Sequence, residues 1–332
     1  MRASRVDVTS TALFYVGIFG AASFGTVTWS NVTIFAALLN ITSTAKNFVG
    51  ILGVAAYHPV SWAKVVIYVI SANVSCSMTD SSLGVIGVGG GTTVTWSNVV
   101  LRAAEANISV TSRYYVGILG AACYGELNWT SVIVASTLVS MKVYAQNFLG
   151  LLGAASSYAV AWVNVSVAGE RSTTVAFAAN YVGILGACGK TSLTWTNVTV
   201  GTSLGIVSFT GSGYSGVLGA ASAGMVTWRN VSTYAALTNI TSTAQGVLGV
   251  LGTVRSTEVS GNTTLTTTSW EDVTVMALDC RIISTVGFVA GILGASVATF
   301  DLQTLSFSTA GFVSWRLSPR SREPTPRCWQ AT

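Results

Sequence analysis

Carboxylates are the first side chains to consider for chemistry, because two of them held close together can act as general acid and general base. The chain contains eleven acidic residues. Four of them fall at four different positions of an internal repeat: Asp80, Glu105, Glu126 and Glu170. Acidic residues within 258–301 leave one alternative, a carbohydrate-active β-helix enzyme that uses Asp272 or Asp279. No cooperating pair is recognisable, and we expect the chain not to be an enzyme.

Nucleophilic and metal-binding side chains are few. His58 is the single histidine. It lies between Tyr57 and Pro59, has no Gly-x-Ser-x-Gly elbow to accompany it, and is expected to be an ordinary surface residue. The five cysteines lie at different repeat positions and lack metal-ligand spacing: Cys76, Cys123, Cys188, Cys280 and Cys328. They are predicted to be small buried thiols. We therefore predict no catalytic, cofactor-binding or metal-binding residue.

Asparagine supplies a modification signal. The triplet Asn-x-Ser/Thr occurs ten times in the chain. Four of these triplets begin at the repeat position two residues after a recurring tryptophan: Asn31, Asn164, Asn197 and Asn230. The spacing predicts an exposed bend at that position. We therefore predict N-glycosylation of these four side chains, which would solubilise a chain with few charges.

The elements that position these side chains follow from a tetrapeptide, Gly-apolar-apolar-Gly, here called the Gly box. It recurs nine times with a period close to 33 residues, and its first glycines are Gly17, Gly50, Gly84, Gly117, Gly150, Gly183, Gly216, Gly249 and Gly291. One tryptophan follows each of the first eight boxes: Trp29, Trp62, Trp96, Trp129, Trp162, Trp195, Trp228 and Trp270. The boxes lack the Lys-Ser/Thr ending of a phosphate loop, so they indicate packing.

Within each repeat the apolar side chains alternate with a period of two, which is typical of strands with one buried face. Val27 and Trp29 share a face, but the next buried aliphatic, Val32, comes three residues after the tryptophan. This change of parity predicts an outward bend at Asn31, because asparagine tolerates unusual backbone angles. Thr, Val and Gly dominate where a helical solenoid would need Ala, Leu, Glu and Lys, so strands are favoured.

We therefore predict an all-β fold: a single-stranded β-solenoid, or triangular β-helix, of about nine coils of 33 residues with three strands per coil. The solenoid is predicted to span 1–315, with an insertion near 256–264. The Pro- and Arg-rich segment 316–332 is predicted to be a basic, disordered tail. Because the chain opens in mid-repeat, we expect a fragment of a longer array whose uncapped coils associate end to end.

The composition limits the partners. Charged residues make up 8% of the chain, and of the net charge of +5 the four arginines and one acid of 316–332 supply +3. The repeats carry no basic stripe, so nucleic acid is not an expected partner. No apolar run reaches the roughly 18 residues of a spanning helix, so no transmembrane span is expected. A signal peptide is not recognisable in this chain.

The unit Gly117-Ile118-Leu119-Gly120, followed by Gly125 and Leu127, resembles the GLUG-type repeat of β-solenoid surface proteins and adhesins. The present unit is longer and adds a regular tryptophan. The resemblance implies an extracellular or cell-surface location, with glycans or other surface proteins as partners, and it carries over no catalytic residue. Function is thus predicted to be a non-enzymatic structural or adhesive repeat segment.

An ice-binding face is a further alternative, because Thr and Ser flank the tryptophans in several repeats. The residues concerned are Thr28, Ser30, Thr95, Ser97, Thr194 and Thr196. Ala161, Val163 and Arg229 interrupt this array.

Overall fold

The computed structural model describes residues 1–12, 14–78, 82–255, 268–286, 289–291, 300–302 and 305–310. Regular structure in these ranges is entirely β, and they contain no helix. The strands pair in parallel with strands one repeat away and form three sheets of nineteen, nine and eight strands. Eight turns separate the first from the last of the nine strands that begin the Gly boxes. The predicted all-β solenoid is confirmed.

Two kinds of strand make up the widest sheet. The long strands carry the tryptophans: Val27–Ser30, Val60–Ile70, Val94–Ala104, Leu127–Thr137, Val160–Glu170, Ser192–Ser203, Met225–Ala236 and Thr268–Leu278. The Ser/Thr-rich strands follow them: Asn73–Met78, Asn107–Ser112, Ser140–Ala145, Thr173–Ala178, Ile206–Gly211, Asn239–Ala244 and Arg281–Val286. Arg2–Ala12 and Thr33–Ala45 run through both regions at the beginning of the chain, and Phe300–Leu302 and Leu305–Ala310 pair with the last long strand.

The two narrower sheets flank the Gly boxes. The strands of one sheet, here called box strands, each end at the first glycine of a box: Tyr15–Gly17, Phe48–Gly50, Leu83–Gly84, Tyr115–Gly117, Phe148–Gly150, Tyr181–Gly183, Tyr214–Gly216, Val247–Gly249 and Val289–Gly291. The strands of the other sheet, here called small-residue strands, each begin directly after the last glycine of a box: Ala21–Ser23, Val54–Ala56, Val88–Gly90, Ala121–Cys123, Ala154–Ser156, Ala187–Gly189, Ala220–Ser222 and Thr253–Arg255. Three sheets match the three predicted sides of a coil, but the small-residue stretch has a sheet of its own, and the tryptophan strand shares one with the Ser/Thr-rich strand.

The tryptophans are stacked in register along the core. Each pairs with the tryptophan of the next coil, from Trp29 with Trp62 to Trp228 with Trp270. Ring centroids of neighbours are 4.6–5.2 Å apart and the rings are within 8° of parallel. Trp29 is half-buried, and the other seven are fully buried. The stacking distance equals the roughly 4.8 Å between neighbouring strands, so one repeat advances the ladder by one ring.

The predicted bend after each tryptophan is confirmed by the backbone. The residue two positions after the tryptophan has a φ of +51° to +55° in all eight coils: Asn31, Lys64, Asn98, Ser131, Asn164, Asn197, Asn230 and Asp272. Ser131 is half-buried and the others are exposed. A left-handed residue rotates the strand, which explains how buried positions change from even to odd spacing. Asparagine and aspartate adopt this conformation more readily than most residues.

A second left-handed bend lies seven residues further on, and the sequence pattern did not predict it. Its φ values are +48° to +56° at Arg5, Leu38, Ser71, Glu105, Leu138, Arg171, Leu204, Leu237 and Asp279. Four of these residues are leucines with side chains 46–56% exposed. The position is therefore set by the stacking of neighbouring coils and not by the preference of its residue, since leucine disfavours a positive φ.

Glycine is required in the boxes for close approach of the backbone. A Cβ atom added to Gly150 would meet the backbone of Ala121 in the preceding coil at less than 3.0 Å, and one added to Gly153 would meet Gly186 of the next coil at a similar distance. Neither glycine has a positive φ. The two residues between them, Leu151 and Leu152, are buried in the core. The box is thus a packing device, as its repetition predicted.

The predicted insertion at 256–264 and the predicted tail at 316–332 lie outside the described residues. On either side of the predicted insertion the strands pair with the preceding coil: Ser222 pairs with Arg255, and Val226 pairs with Thr268. A search of the described ranges for a helix with the length and apolar character to cross a membrane finds none.

The box packing predicts a position-specific cost for adding one methyl group. We expect Gly153→Ala to lower the free energy of unfolding by about 1–3 kcal/mol or more, because the new Cβ would force two coils apart. Gly25→Ala is the matched control, since its Cβ would meet only the Ser23 hydroxyl oxygen at 3.6 Å. The measurement is the urea midpoint followed by circular dichroism. Equal midpoints for the two variants would contradict this account of the box.

Candidate functional site

One exposed surface of the solenoid is formed by the Ser/Thr-rich strands. Their first, third and fifth residues point outward, and we call this surface the hydroxyl face. It comprises Asn40, Thr42, Thr44, Asn73, Ser75, Ser77, Asn107, Ser109, Thr111, Ser140, Lys142, Tyr144, Thr173, Val175, Phe177, Ile206, Ser208, Thr210, Asn239, Thr241 and Thr243. Ser208 is half-buried and the others are exposed. In-register pairing stacks these positions into three columns.

Two neighbouring coils interrupt the hydroxyl columns with large side chains. Tyr144 and Phe177 replace the serine or threonine of the fifth position, and Lys142 and Val175 replace that of the third. The rings of Tyr144 and Phe177 are stacked, with centroids 4.9 Å apart and planes 4° from parallel. They are 48% and 40% exposed. Apart from Lys142, Val175 and Ile206, the rest of this surface is made of small polar side chains.

A shallow depression of about 230 Å³ surrounds the aromatic pair. Its lining comes from four coils and consists of Ser109, Val110, Thr111, Lys142, Val143, Tyr144, Val175, Ala176, Phe177, Ser208 and Thr210. Hydroxyl groups therefore flank the aromatic pair on both sides along the solenoid axis. Lys142 adds one cation, and no carboxylate belongs to the lining. The arrangement offers ring faces, hydrogen-bonding groups and one positive charge.

The signal for this site was present in the sequence but was not recognised. Lys142, Tyr144 and Phe177 were not among the predicted site residues. Tyr144 and Phe177 are one repeat apart at a position where Thr or Ser is usual. A comparison of that single column across the repeats could have found them.

The predicted glycosylation residues lie on a different edge, the bend after the tryptophan. Asn164, Asn197 and Asn230 are brought together in three consecutive coils: Asn197 donates to the Asn164 carboxamide oxygen at 3.0 Å, and Asn230 donates to that of Asn197 at 2.9 Å. Asn31 is separate from them and donates to the Ser30 hydroxyl oxygen at 3.3 Å. All four are exposed.

Of the acidic residues considered for catalysis, Asp272 and Asp279 are not brought together, and Asp80 and Glu258 lie outside the described residues. Asp272 and Asp279 occupy the two different bends of one coil, and both are exposed. Glu271, next to Asp272, forms an exposed ion pair with Arg229 at 2.7 Å. Groups of three or more His, Cys, Asp and Glu residues with metal-binding geometry are not found in the described ranges.

His58, expected to be an ordinary surface residue, is half-buried. Its ring packs edge-on against Phe24 and Tyr57, with centroid distances of 5.4 Å to each. Phe24 and Tyr57 form a second exposed stacked pair, with centroids 4.9 Å apart. This pair lies at the turn between the small-residue strand and the long strand, away from the hydroxyl face.

Four cysteines are buried free thiols, as predicted: Cys76, Cys123, Cys188 and Cys280. Cys328 lies outside the described residues. Burial raises the pKa of the Cys76 and Cys123 thiols to about 12, and it also raises the pKa of Cys188. A thiol that stays protonated at neutral pH is a poor nucleophile. These groups therefore serve as packing residues.

Comparison of the chain with protein-family models, with curated proteins and with solved structures gives no significant match. The resemblance to GLUG-type repeats stays a prediction, and functional inference rests on the geometry of the surface.

Burial of the thiols predicts a specific alkaline destabilisation. The Cys123 pKa lies above the value of 9.0 for an unperturbed thiol, so its contribution to stability is complete below pH 9 and declines as the pH rises toward 12. Cys123→Ala lacks this thiol, and Ala56 already occupies the same repeat position two coils earlier. We expect the stability advantage of the parent over Cys123→Ala to shrink by about 1.4 kcal/mol per pH unit above 9.

The measurement is urea unfolding of both proteins at pH 8, 9.5 and 11. Shared groups such as the tyrosines cancel in the difference between the two chains. A difference in unfolding free energy that is constant across these pH values would show that the Cys123 thiol ionises in the folded protein as easily as in the unfolded one.

Proposed function

We propose that the chain is a non-enzymatic structural or adhesive repeat segment of a secreted or cell-surface protein, and that its contacts are made by the hydroxyl face. The observation that carries this proposal is the exposure of three side-chain columns along seven consecutive coils from Asn40 to Thr243. A surface of this form contacts a partner at many equivalent points. Many weak contacts at fixed spacing combine into firm attachment when they are engaged together.

The core supports a load-bearing or adhesive role. Backbone pairing runs in parallel register from Arg2–Ala12 to Arg281–Val286, and the tryptophan ladder is buried beneath it. Each coil contacts its neighbours, so stability grows with the number of coils. The exposed surface is then free to vary without loss of the fold.

Exposed acceptor triplets at the bend fit the proposed extracellular setting, in which their asparagines would carry glycans. Asn31, Asn164, Asn197 and Asn230 are exposed and begin Asn-x-Ser/Thr triplets. Glycans at the bend would cover an edge of the rod that has few charges. Asn164, Asn197 and Asn230 are separated by single coils of roughly 4.8 Å. Occupied sites are therefore expected to alternate along this edge.

Adhesion can be measured with beads that carry the purified chain through a terminal tag. We expect coated beads to resist shear on at least one of three surfaces, which are polysaccharide-coated, protein-coated or bare glass. Ser109→Glu/Thr210→Glu places charges on the hydroxyl face and is expected to reduce retention. The matched control, Thr28→Glu/Thr95→Glu, places the same charges on the outer side of the long strands and is expected to retain adhesion. Retention no better than that of uncoated beads on every surface would refute the adhesive role.

Glycosylation can be read from mass. We expect peptides containing Asn31 and at least one of Asn164, Asn197 and Asn230 to carry glycans in native material, and to lose mass on enzymatic removal of N-glycans. Asn98 is the internal control, because it occupies the same bend but is followed by Val99 and Val100 and forms no acceptor triplet. Unchanged mass of all four acceptor peptides would refute glycosylation at the bend.

A further inference from the structure

The aromatic pair on the hydroxyl face has two free ring faces. Tyr144 and Phe177 cover one face of each other, because their rings are stacked within 4° of parallel. The other face of Tyr144 is turned toward the coil of Thr111, its register partner on one side. The other face of Phe177 is turned toward the coil of Thr210 on the opposite side. Each free face therefore looks along the solenoid axis over a small hydroxyl side chain.

The space beside each free ring face has the height of one stacked ring. We call each of these two spaces a step. Neighbouring coils are roughly 4.8 Å apart, which is also the distance at which rings stack. The centroid distance of 4.9 Å within the aromatic pair shows that one ring fits into each coil spacing. Thr111 and Thr210 are much smaller than a ring, so the stack stops there and the depression around it remains open. A six-membered ring of a ligand would continue the stack by one step on either side.

We propose that each step binds the terminal pyranose ring of a glycan, with the apolar C–H face of the sugar against Tyr144 or Phe177. The hydroxyl groups of the sugar would pair with Ser109 and Thr111 on one side, and with Ser208 and Thr210 on the other. Lys142 lies in the same depression and donates to a sugar hydroxyl or carboxylate. This inference deepens the proposed adhesive function and rests on it, because the two steps belong to the same face.

The chemistry of the flanks favours a sugar over an aromatic side chain of a partner protein. A pyranose has an apolar face and a rim of hydroxyl groups, and it can satisfy the hydroxyls of Ser109, Thr111, Ser208 and Thr210. An aromatic side chain would cover the same four groups with an apolar edge and leave them unpaired, which costs free energy. The hydrogen-bonding capacity of the flanks therefore selects the sugar.

The position of the aromatic pair also selects a chain end over an internal segment. Tyr144 and Phe177 lie in the fifth-position column, on the fourth and fifth of its seven coils, with hydroxyl side chains before and after them in that column. A polysaccharide that ran along this column would have to pass over the projecting rings. A terminal or branch sugar approaches from outside and inserts beside one ring, so the aromatic pair offers two equivalent end-binding positions facing in opposite directions.

The test uses the full chain and four defined probes: cellotetraose, tetra-N-acetylchitotetraose, mannotetraose and tetragalacturonic acid. Binding is measured by titration calorimetry, and the contacting ring is identified by saturation-transfer NMR. We expect at least one probe to bind, with saturation strongest at its terminal residue. Tyr144→Ala and Phe177→Ala are each expected to weaken binding about three- to tenfold at the step that the replaced ring forms, which is the range for loss of one ring contact, and to leave the affinity of the opposite step unchanged. The double variant should abolish binding.

A second stacked pair provides the matched control. Phe24 and Tyr57 have the same ring geometry, with centroids 4.9 Å apart and planes 4° from parallel, but lie outside the hydroxyl face. Phe24→Ala/Tyr57→Ala is expected to keep the parent affinity. Thr111→Val/Thr210→Val, which preserves shape and removes two hydroxyls, is expected to weaken binding with the circular dichroism spectrum unchanged.

The outcomes separate this inference from the proposed function. Retained bead adhesion without binding of any of the four probes would overturn the pyranose site and leave the adhesive role standing. Probe binding without bead adhesion would support the site and overturn the adhesive role. Binding that is equally sensitive to the Phe24/Tyr57 variant, or insensitive to the Tyr144/Phe177 variant, would overturn the site. Binding of a Trp- or Tyr-containing peptide in place of the sugars would show that the steps bind protein.

Discussion

Close contact between backbones at the Gly boxes is the constraint on which every coil depends. The first glycine of a box lies against the small-residue strand of the preceding coil, and the last lies against the corresponding glycine of the next coil, as Gly150 and Gly153 show. At this separation there is no space for a side chain. The chain must therefore return to the same place in every turn, which fixes the period close to 33 residues.

A fixed period makes the core repetitive and leaves variation to the surface. Any inward position faces the same position of the neighbouring coil, so a residue that packs well once packs well in each coil. Trp62 to Trp228 are fully buried and stacked. Within the described part of the chain their indole N–H groups meet no acceptor. An unpaired buried donor costs about 1–3 kcal/mol. Tryptophan at this position is therefore favoured by its large apolar area and by ring stacking, which must outweigh that cost.

Sequence periodicity was enough to predict the solenoid, the buried tryptophan ladder and the bend at Asn31, because all three repeat in nearly every coil. The bend at Leu38 was missed because its residue type varies, and leucine has no preference for a positive φ. The sheet formed by Ala121–Cys123 and its equivalents was missed because small residues carry weak strand signals. The aromatic pair was missed because repeat analysis averages each column, and Tyr144 and Phe177 are exceptions within theirs.

Exceptions are where a regular solenoid acquires specificity. A uniform column of threonines presents the same group at every step and cannot distinguish one place along the rod from another. Replacing two neighbouring members with Tyr144 and Phe177 creates a raised pair and, on each side of it, a ring face next to a hydroxyl group. Phe24 and Tyr57 repeat the raised pair outside the hydroxyl face, and His58 packs against their edges. A stacked ring pair by itself therefore does not make the proposed sugar site. The proposed site also needs hydroxyl side chains next to the ring, as Tyr144 and Phe177 have.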